Sequence, residues 1–184
     1  MNEAIFTAIN NLAGKNNLLD FFGIFLAEYT PYVAIGALIY FWFKDCFHPS
    51  FNKNCLWLFK NNIYQKIVLL AGVSAILGIV VNRIISAIYF HPRPFMQDLG
   101  TLLVKHSAES SFPSDHTTFI LSIAFSLFYF SLTKKAGAFL IILGIFSGIS
   151  RVFCGLHFPA DILGSIAIAI LSASIPKLVV SIDK

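Results

Sequence analysis

The sequence predicts an all-α fold, a polytopic membrane helical bundle, and two observations support this prediction. Of the 184 residues, 57% are apolar and only 12% are charged, a balance far outside that of soluble proteins. Five apolar runs are also long enough to cross about 30 Å of hydrocarbon, which takes roughly 20 residues. They lie near residues 21–43, 67–90, 117–133, 136–153 and 160–182. We therefore expect about five transmembrane helices in a single membrane domain over residues 1–184.

A shorter amphipathic segment precedes the first of these runs. Its apolar side chains recur at helical spacing, at Ile5, Phe6, Ile9, Leu12 and Ala13. The pattern predicts a helix over residues 3–13 that lies on the membrane surface. The polar residues Asn16, Asn17 and Asp20 then separate this helix from the first membrane span.

The positive charges are distributed unequally between the two sides of the predicted bundle. With five spans, one side holds Lys44, Lys53, Lys60, Lys66, Lys134, Lys135, Lys177 and Lys184. The other side holds, outside the spans, only Lys15, Arg93 and Lys105. By the positive-inside rule the lysine-rich side is cytoplasmic, so the N-terminus and the connections 91–116 and 154–159 are expected to face outward. The aromatic-rich connection 44–66 is expected along the cytoplasmic interface.

Three polar motifs stand at the outward ends of the predicted spans. Arg93-Pro94 ends the second span, and Pro113-Ser114-Asp115-His116 begins the third. The third motif consists of Ser150 and Arg151 at the end of the fourth span, with His157 and Asp161 at the start of the fifth. All three motifs are therefore expected at one membrane boundary, where ionisable residues are candidates for a functional site.

The residue types in these motifs are those that phosphoryl transfer needs: a nucleophile, a proton donor and cations for the phosphate oxygens. His157 is favoured as the nucleophile because Asp161 is within reach of one imidazole nitrogen and leaves the other free to attack phosphorus. His116 would protonate the leaving group and then activate water to hydrolyse the phosphohistidine. Arg93 and Arg151 would bind the nonbridging phosphate oxygens.

Two helix starts support this arrangement. The third span begins at Ser114 and Asp115, and the N–H groups and dipole of such a helix favour a bound anion. Pro159 suits the first turn of the last helix, so His157 is expected just before that helix and Asp161 within it.

The three motifs resemble the signature of the type 2 phosphatidic acid phosphatase superfamily, and this resemblance spans residues 93–161. It implies a membrane phosphatase that forms a phosphohistidine and requires no metal ion or other cofactor. It also implies the roles of the site residues: His157 as nucleophile, Asp161 as its partner, His116 as acid, and Arg93, Ser114 and Arg151 as phosphate ligands.

Two positions depart from the superfamily pattern. A lysine usually stands seven residues before the motif arginine, where this chain has Ser86. Glycine commonly stands at the position of Asp115, and a carboxylate beside a phosphate is unfavourable unless it points away or engages a cation. Arg83 lies on a neighbouring part of the same helical face as Ser86, so we expect it to reach the phosphate site in place of the missing lysine. Asp115 and Arg83 are therefore predicted to be phosphate-binding residues, and Ser86 is predicted to be structural or part of the substrate pocket.

Glu28 and Arg83 are charges expected inside the first and second spans. Each lies about seven residues from the outer end of its span, which corresponds to a depth of roughly 10 Å. Because charges in hydrocarbon are usually tolerated in pairs, we expect an ion pair between them, either structural or part of the substrate pocket.

A wider set of segments is similar to a narrower group, the bacterial undecaprenyl-diphosphate phosphatases linked to bacitracin resistance. These segments are Leu19-Asp20, Glu28-Tyr29, Tyr89-Phe90, Pro92 to Phe95, Ser111 to Thr118 and Asp161 to Ser165. The resemblance implies hydrolysis of undecaprenyl diphosphate at the outer face of the bacterial plasma membrane, which recycles the carrier lipid for peptidoglycan synthesis. A polyprenyl diphosphate and membrane lipids are then the expected partners, without nucleic acid.

Two alternative functions are consistent with the residues. One is a phosphatase for another lipid phosphate, such as phosphatidylglycerophosphate or phosphatidate. The other is a small membrane transporter in which Glu28 and Arg83 serve an ion or proton path, although this leaves the spacing of His157 and Asp161 unexplained. No metal-ligand cluster is evident, but carboxylates at Asp98, Glu109 and Asp115 leave a secondary divalent-ion site open. The sequence does not indicate an oligomeric state.

Overall fold

The computed structural model describes residues 1–44 and 62–179, which form six α-helices and one 3-10 helix. The α-helices are α1 (Asn2–Asn10), α2 (Asn17–Phe43), α3 (Ile63–Ile88), α4 (Asp115–Phe128), α5 (Lys134–Phe153) and α6 (Pro159–Val179). The 3-10 helix, Pro94–Gln97, lies in the long connection between α3 and α4. The predicted all-α fold is confirmed.

Asparagine caps begin the first two long helices. Asn16 Oδ1 accepts hydrogen bonds from the N–H groups of Leu18 and Leu19, at 2.9 and 3.2 Å. Asn62 Oδ1 accepts one from Tyr64 N at 2.9 Å. Such caps satisfy N–H groups that have no partner within the helix. Both helices start four residues earlier than predicted, at Asn17 and Ile63, because the caps lie outside the apolar runs from which the spans were predicted.

Four of the described helices, α2, α3, α5 and α6, are long and apolar enough to cross a membrane. Large apolar side chains on their outer faces are exposed, as at Ile76 and Leu163. Together these features indicate a multi-pass membrane protein, as predicted. The count of five spans is only approximate, because the fifth apolar helix, α4, has 14 residues and a length of about 21 Å.

The short helix α4 lies at the centre of the bundle. Its residues Ile120, Ile123, Ala124 and Leu127 are buried in a core shared with α2, α3 and α5. It ends five residues before the predicted boundary because the chain turns sharply: Thr133 Oγ1 donates a hydrogen bond to Leu127 O at 2.6 Å. A helix enclosed by other helices does not need to cover the full hydrocarbon thickness by itself.

Helix α1 forms, although it ends at Asn10 rather than at residue 13, and it packs against other parts of the protein. The Phe6 ring contacts that of Phe158, with 5.3 Å between ring centroids. Asn10 is buried, and its Nδ2 donates to Thr101 O at 2.8 Å and to Phe153 O at 2.7 Å. The prediction of a helix lying only on the membrane surface is incomplete, because this polar contact ties α1 to the segments around α5.

Five of the seven described lysines lie at the end of the bundle opposite the motif segments, and the exceptions are Lys15 and Lys105. Lys44 Nζ lies 3.0 Å from Tyr64 Oη, which brings the end of α2 beside the start of α3. Lys177 Nζ lies 4.4 Å from the ring centroid of Tyr129, which brings the end of α6 beside the end of α4. Most of the connection 44–66 lies outside the described residues. The prediction that it lies along the cytoplasmic interface therefore concerns residues that the structure does not describe.

Candidate active site

A cavity of about 340 Å³ occurs where the three sequence motifs meet. Its lining consists of Pro31, Ile79, Arg83, Arg93, His106, Glu109, Asp115, His116, Phe119, Arg151 and His157. The structure therefore brings five of the predicted site residues around one space, together with the predicted substitute cation Arg83. Three arginines, Arg83, Arg93 and Arg151, give this space the character of an anion site.

His157 lies in the connection between α5 and α6. Its side chain is buried and lines the cavity. Its Nδ1 donates a hydrogen bond to Ser111 O at 2.8 Å, and a carbonyl oxygen can only accept, so this nitrogen carries the proton. Its Nε2 lies 3.2 Å from Arg93 Nη1. Burial lowers the pKa of His157 to about 3, against the opposing effect of Asp161. The ring is therefore neutral near pH 7, with the lone pair on Nε2.

Asp161 lies in the first turn of α6, as predicted from Pro159. Its Oδ2 accepts hydrogen bonds from Ser111 Oγ and, at 2.8 Å, from Phe158 N. The distance from Oδ2 to His157 Nδ1 is 3.6 Å. The imidazole is thus oriented by two groups, the Ser111 carbonyl at hydrogen-bonding distance and the Asp161 carboxylate slightly farther away.

Arg93 is held rigidly just before the 3-10 helix. Its Nη1 donates to Leu156 O at 3.2 Å, and its Nε donates to Glu109 O at 3.3 Å. Burial lowers the pKa of Arg93, although Glu109 opposes this. An arginine whose ordinary value is near 12.5 keeps its charge under these conditions. The guanidinium is therefore a fixed positive charge beside His157 Nε2.

Arg151, in the last turn of α5, is paired with Glu28. Its Nη1 lies 3.5 Å from Glu28 Oε1 and donates to Ala27 O at 3.1 Å, while its buried Nε has no hydrogen-bond partner among the described residues. Arg83 instead contacts Asp115 and Glu109. The predicted ion pair between Glu28 and Arg83 is therefore wrong, because the helix packing places a different cation beside Glu28.

Asp115 engages a cation, which resolves the electrostatic problem that its position raises. One carboxylate oxygen lies 2.8 Å from Arg83 Nη2, and the other accepts a hydrogen bond from Asn82 Nδ2 at 2.9 Å. Glu109 Oε2 lies 3.9 Å from Arg83 Nη1. These contacts hold Arg83 at the cavity wall, although its side chain is 63% exposed.

Ser114 and Ser86 do not line the main cavity. Ser114 is fully buried at the start of α4, where its N–H donates to Ser165 Oγ at 2.8 Å and its Oγ accepts from Thr117 Oγ1 at 3.1 Å. Ser86 Oγ donates to Phe112 O at 3.2 Å. Ser86 lines a neighbouring cavity of about 270 Å³ that shares Arg83 and Arg93 with the main one.

Comparisons with known proteins show which family the chain belongs to. The model of the PAP2 superfamily matches residues 67–181, which is more than half of the chain. The chain belongs to the PAP2 superfamily. The resemblance stated from the three motifs is thereby confirmed.

Relatives of this PAP2 chain extend the match beyond the family region. The undecaprenyl-diphosphatase BcrC of Bacillus subtilis (strain 168) is 39% identical over 171 residues, covering 93% of this chain and 80% of that protein. The bacitracin transport permease protein BcrC of Bacillus licheniformis is 30% identical over 179 residues, covering 94% and 77%. The crystal structure of Aquifex aeolicus LpxE has the same fold, with a TM-score of 0.69, 23% identity, and coverage of 95% of this chain and 93% of that one.

The PAP2 site contains residues that motif reasoning missed. His106 lines the cavity, and its Nδ1 donates to Ser107 O at 3.3 Å. Burial lowers the pKa of His106, and Arg93 acts in the same direction. Ser111 contacts both His157 and Asp161, and Asn82 contacts Asp115. His106 and Ser111 lie in a connection with no periodic pattern, so only the folded contacts reveal them.

Two of the three carboxylates considered for a secondary divalent ion, Asp115 and Glu109, form ion pairs instead. Asp115 and Glu109 both contact Arg83, and Asp98 adopts a left-handed backbone conformation after the 3-10 helix. Within residues 1–44 and 62–179 of this PAP2 chain, no group of three or more His, Cys, Asp or Glu side chains is placed to hold a metal ion.

Proposed function

We propose that this chain is an undecaprenyl-diphosphate phosphatase, which hydrolyses undecaprenyl diphosphate to undecaprenyl phosphate and inorganic phosphate. The cavity around His157 supports phosphoryl transfer. The 39% identity to the undecaprenyl-diphosphatase BcrC of Bacillus subtilis supports the substrate. Its role is then to recycle the carrier lipid of peptidoglycan synthesis, which is consistent with a part in bacitracin resistance.

The observation that carries the proposal is the orientation of His157. Its Nδ1–H is bound to the Ser111 carbonyl, and its Nε2 is directed toward Arg93 and the cavity. A neutral imidazole with a fixed tautomer and a lone pair beside Arg93, in a cavity that Arg151 also lines, is suited to attack a bound phosphate. Structural histidines in membrane helices do not need such an arrangement.

The reaction has two steps. Arg93 and the unpartnered Nε of Arg151 bind oxygens of the terminal phosphate, and His157 Nε2 forms a bond to its phosphorus. The bond from this phosphorus to the bridging oxygen breaks, and the electron pair leaves with undecaprenyl phosphate, which His116 protonates. His116 then takes a proton from water, whose oxygen bonds to the phosphorus. The bond from phosphorus to His157 Nε2 breaks, its electron pair returns to Nε2, and phosphate is released.

Arg83 is assigned to the second phosphate of the diphosphate. Arg93 and Arg151 are buried, whereas Arg83 is exposed at the cavity wall and held by Asp115. A diphosphate carries more negative charge than a monophosphate, so a third cation favours it. Ser114 contributes by setting the start of α4, whose first N–H groups and dipole face the anion site.

A substrate panel tests this function. Purified protein is mixed with undecaprenyl diphosphate, undecaprenyl monophosphate, phosphatidylglycerophosphate or phosphatidate, with and without a chelator, and phosphate release is measured. We expect fastest release from the undecaprenyl diphosphate, insensitive to the chelator. Preference for a glycerophospholipid would reassign the substrate, and no release from any lipid by folded protein would favour the transporter alternative.

We further propose that the cavity faces outward from the bacterial plasma membrane. The charge asymmetry predicts that Ser107→Cys, in the connection before α4, reacts with an impermeant maleimide on intact cells. The matched variant Ser131→Cys lies after α4, at the lysine-rich end, and should react only after lysis. Both variants are made after removal of Cys46, Cys55 and Cys154. The opposite labelling pattern would place the cavity in the cytoplasm.

The assignment of Arg83 predicts an effect on substrate preference. Arg83→Gln should lower kcat/KM for the diphosphate by about 10- to 100-fold, which corresponds to one charge-assisted hydrogen bond, and should affect monophosphate hydrolysis less. Lys105→Gln is the control, because it removes the same charge from an exposed residue that does not line the cavity. Equal losses for the two substrates would contradict the assignment.

A further inference from the structure

The Asp161 carboxylate lies between two imidazole rings. On one side, Oδ2 contacts Ser111 Oγ, Phe158 N and, at 3.6 Å, His157 Nδ1. On the other side, His91 Nδ1 lies 3.8 Å from Oδ1. His91 has no role in the proposed phosphoryl transfer.

The His91 ring is fixed in place by its neighbours, yet its Nδ1 has no hydrogen-bond partner among the described residues. The ring stacks on Tyr89 at 6.0 Å and 22° and meets Phe158 edge-on at 5.4 Å and 72°. Its backbone N–H donates to Ser110 Oγ at 3.1 Å. Within the part of the chain that the structure describes, Nδ1 is nevertheless buried without a hydrogen bond, which is unfavourable for a polar atom. The charged group beside this nitrogen is the Asp161 carboxylate, whose Oδ1 lies 3.8 Å away.

Ser111 connects His91 to His157 through hydrogen bonds of its backbone N–H and carbonyl groups. Ser111 N donates to His91 O at 2.6 Å, and Ser111 O accepts from His157 Nδ1 at 2.8 Å. Ser111 Oγ also donates to Asp161. His91 Nδ1 lies 3.8 Å from Oδ1, about 0.6 Å beyond the usual N–H···O range, so a small rotation of the Asp161 carboxylate is enough to form this hydrogen bond.

Formation of the phosphohistidine makes the orientation of Asp161 important. When His157 Nε2 bonds to phosphorus while Nδ1 keeps its proton, the ring gains positive charge, which the Asp161 carboxylate stabilises if Oδ2 stays directed at it. We propose that His91 is a positioning residue whose Nδ1–H donates to Asp161 Oδ1 during this step and fixes the rotation of the carboxylate, so that Oδ2 faces His157 Nδ1. The inference rests on the proposed phosphohistidine mechanism. His91 touches neither substrate nor phosphorus in it.

Three substitutions distinguish the role of the His91 Nδ1 donor from the role of ring packing. His91→Phe keeps an aromatic ring between Tyr89 and Phe158 but removes the donor. His91→Asn places an amide N–H close to the position of Nδ1, whereas His91→Gln places it close to Nε2. The purified variants are mixed rapidly with phosphate-labelled undecaprenyl diphosphate and quenched in base, in which phosphohistidine persists. The rate of phosphoenzyme formation and KM are measured, and thermal melts report folding.

We expect His91→Phe and His91→Gln to slow phosphoenzyme formation by about 10- to 100-fold, the usual effect of losing a group that orients a catalytic ligand, with little change in KM. His91→Asn should retain most of the rate. A wild-type rate in folded His91→Phe would show that only ring packing matters and overturn the proposal. Should His91→Phe fail to fold, equal rates for His91→Asn and His91→Gln would overturn it instead. Absence of labelled phosphoenzyme in the wild type, by contrast, would count against the proposed function itself.

Discussion

His157→Ala is expected to abolish phosphate release from undecaprenyl diphosphate and to leave no labelled phosphoenzyme in base-quenched samples. The change removes the imidazole nitrogen that lies 3.2 Å from Arg93 Nη1 at the cavity. Loss of a catalytic nucleophile in comparable hydrolases lowers kcat by at least about 10⁴-fold, and we expect a loss of that size. Gel filtration and a thermal melt in detergent establish that the variant is folded.

His116→Ala is the matched variant, because its side chain lines the same cavity but does not attack phosphorus in the proposed mechanism. A general acid and base contributes about 10²- to 10⁴-fold, so turnover should fall while phosphoenzyme still forms and accumulates. Full activity in folded His157→Ala protein would end the mechanism. Equal phosphoenzyme levels in the wild type and both variants would show that the labelled residue is neither histidine.

The membrane fold could be predicted because its main determinant is local. Each long apolar run must satisfy its backbone within the run when it enters lipid, so run length and helix length nearly coincide. Polar residues at the ends, such as Asn16 and Asn62, act as caps and extend helices beyond the apolar core. Their hydrogen bonds explain why the boundaries of α2 and α3 differ from the predictions by a few residues.

The two least predictable elements are those defined by contacts with other helices. The length of α4 follows from the turn at Thr133 and from enclosure by α3, α5 and α6, which apolar composition does not encode. Helix α1 satisfies its amphipathic pattern partly through Phe6 and Asn10, which pack on Phe158 and on the backbone of Thr101. A membrane surface and a protein surface require the same apolar spacing, so the sequence does not distinguish them.

Most of the candidate site was predicted because its motifs stand at one end of successive spans. Five spaced positions, His157, His116, Arg93, Arg151 and Asp115, meet at one cavity once the helices pack. Lateral neighbours are harder to predict. Depth along a helix follows from residue counting, but which cation stands beside Glu28 depends on helix order around the bundle.

The pair that does form carries a large expected effect. Arg151 is 1% exposed and Glu28 is 34% exposed by side chain, so the two charges differ in their access to solvent. Arg151→Gln should lower kcat/KM by about 10²- to 10³-fold, because a preorganised donor to the transferring phosphate is lost. Glu28→Gln should lower activity less, because the guanidinium remains beside the cavity.

Stability should follow the reverse order. In Glu28→Gln the buried Arg151 charge loses its carboxylate and, among the described residues, keeps the Ala27 carbonyl at 3.1 Å as a hydrogen-bond acceptor. An uncompensated buried charge is strongly destabilising. In Arg151→Gln the remaining carboxylate is partly exposed and can be solvated, so Tm should fall less. Thermal melts in detergent and kcat/KM for undecaprenyl diphosphate measure the two effects separately.

The double variant distinguishes a coupled pair from two independent residues. Once Arg151 is replaced, Glu28 has no cation to hold, so adding Glu28→Gln should change kcat/KM little further, and the two losses should not multiply. It should also recover part of the Tm that Glu28→Gln alone removes, because no unpaired charge is left buried. Multiplicative losses of activity, or a Tm below that of both single variants, would contradict the pairing and return Glu28 to the role of an independent residue.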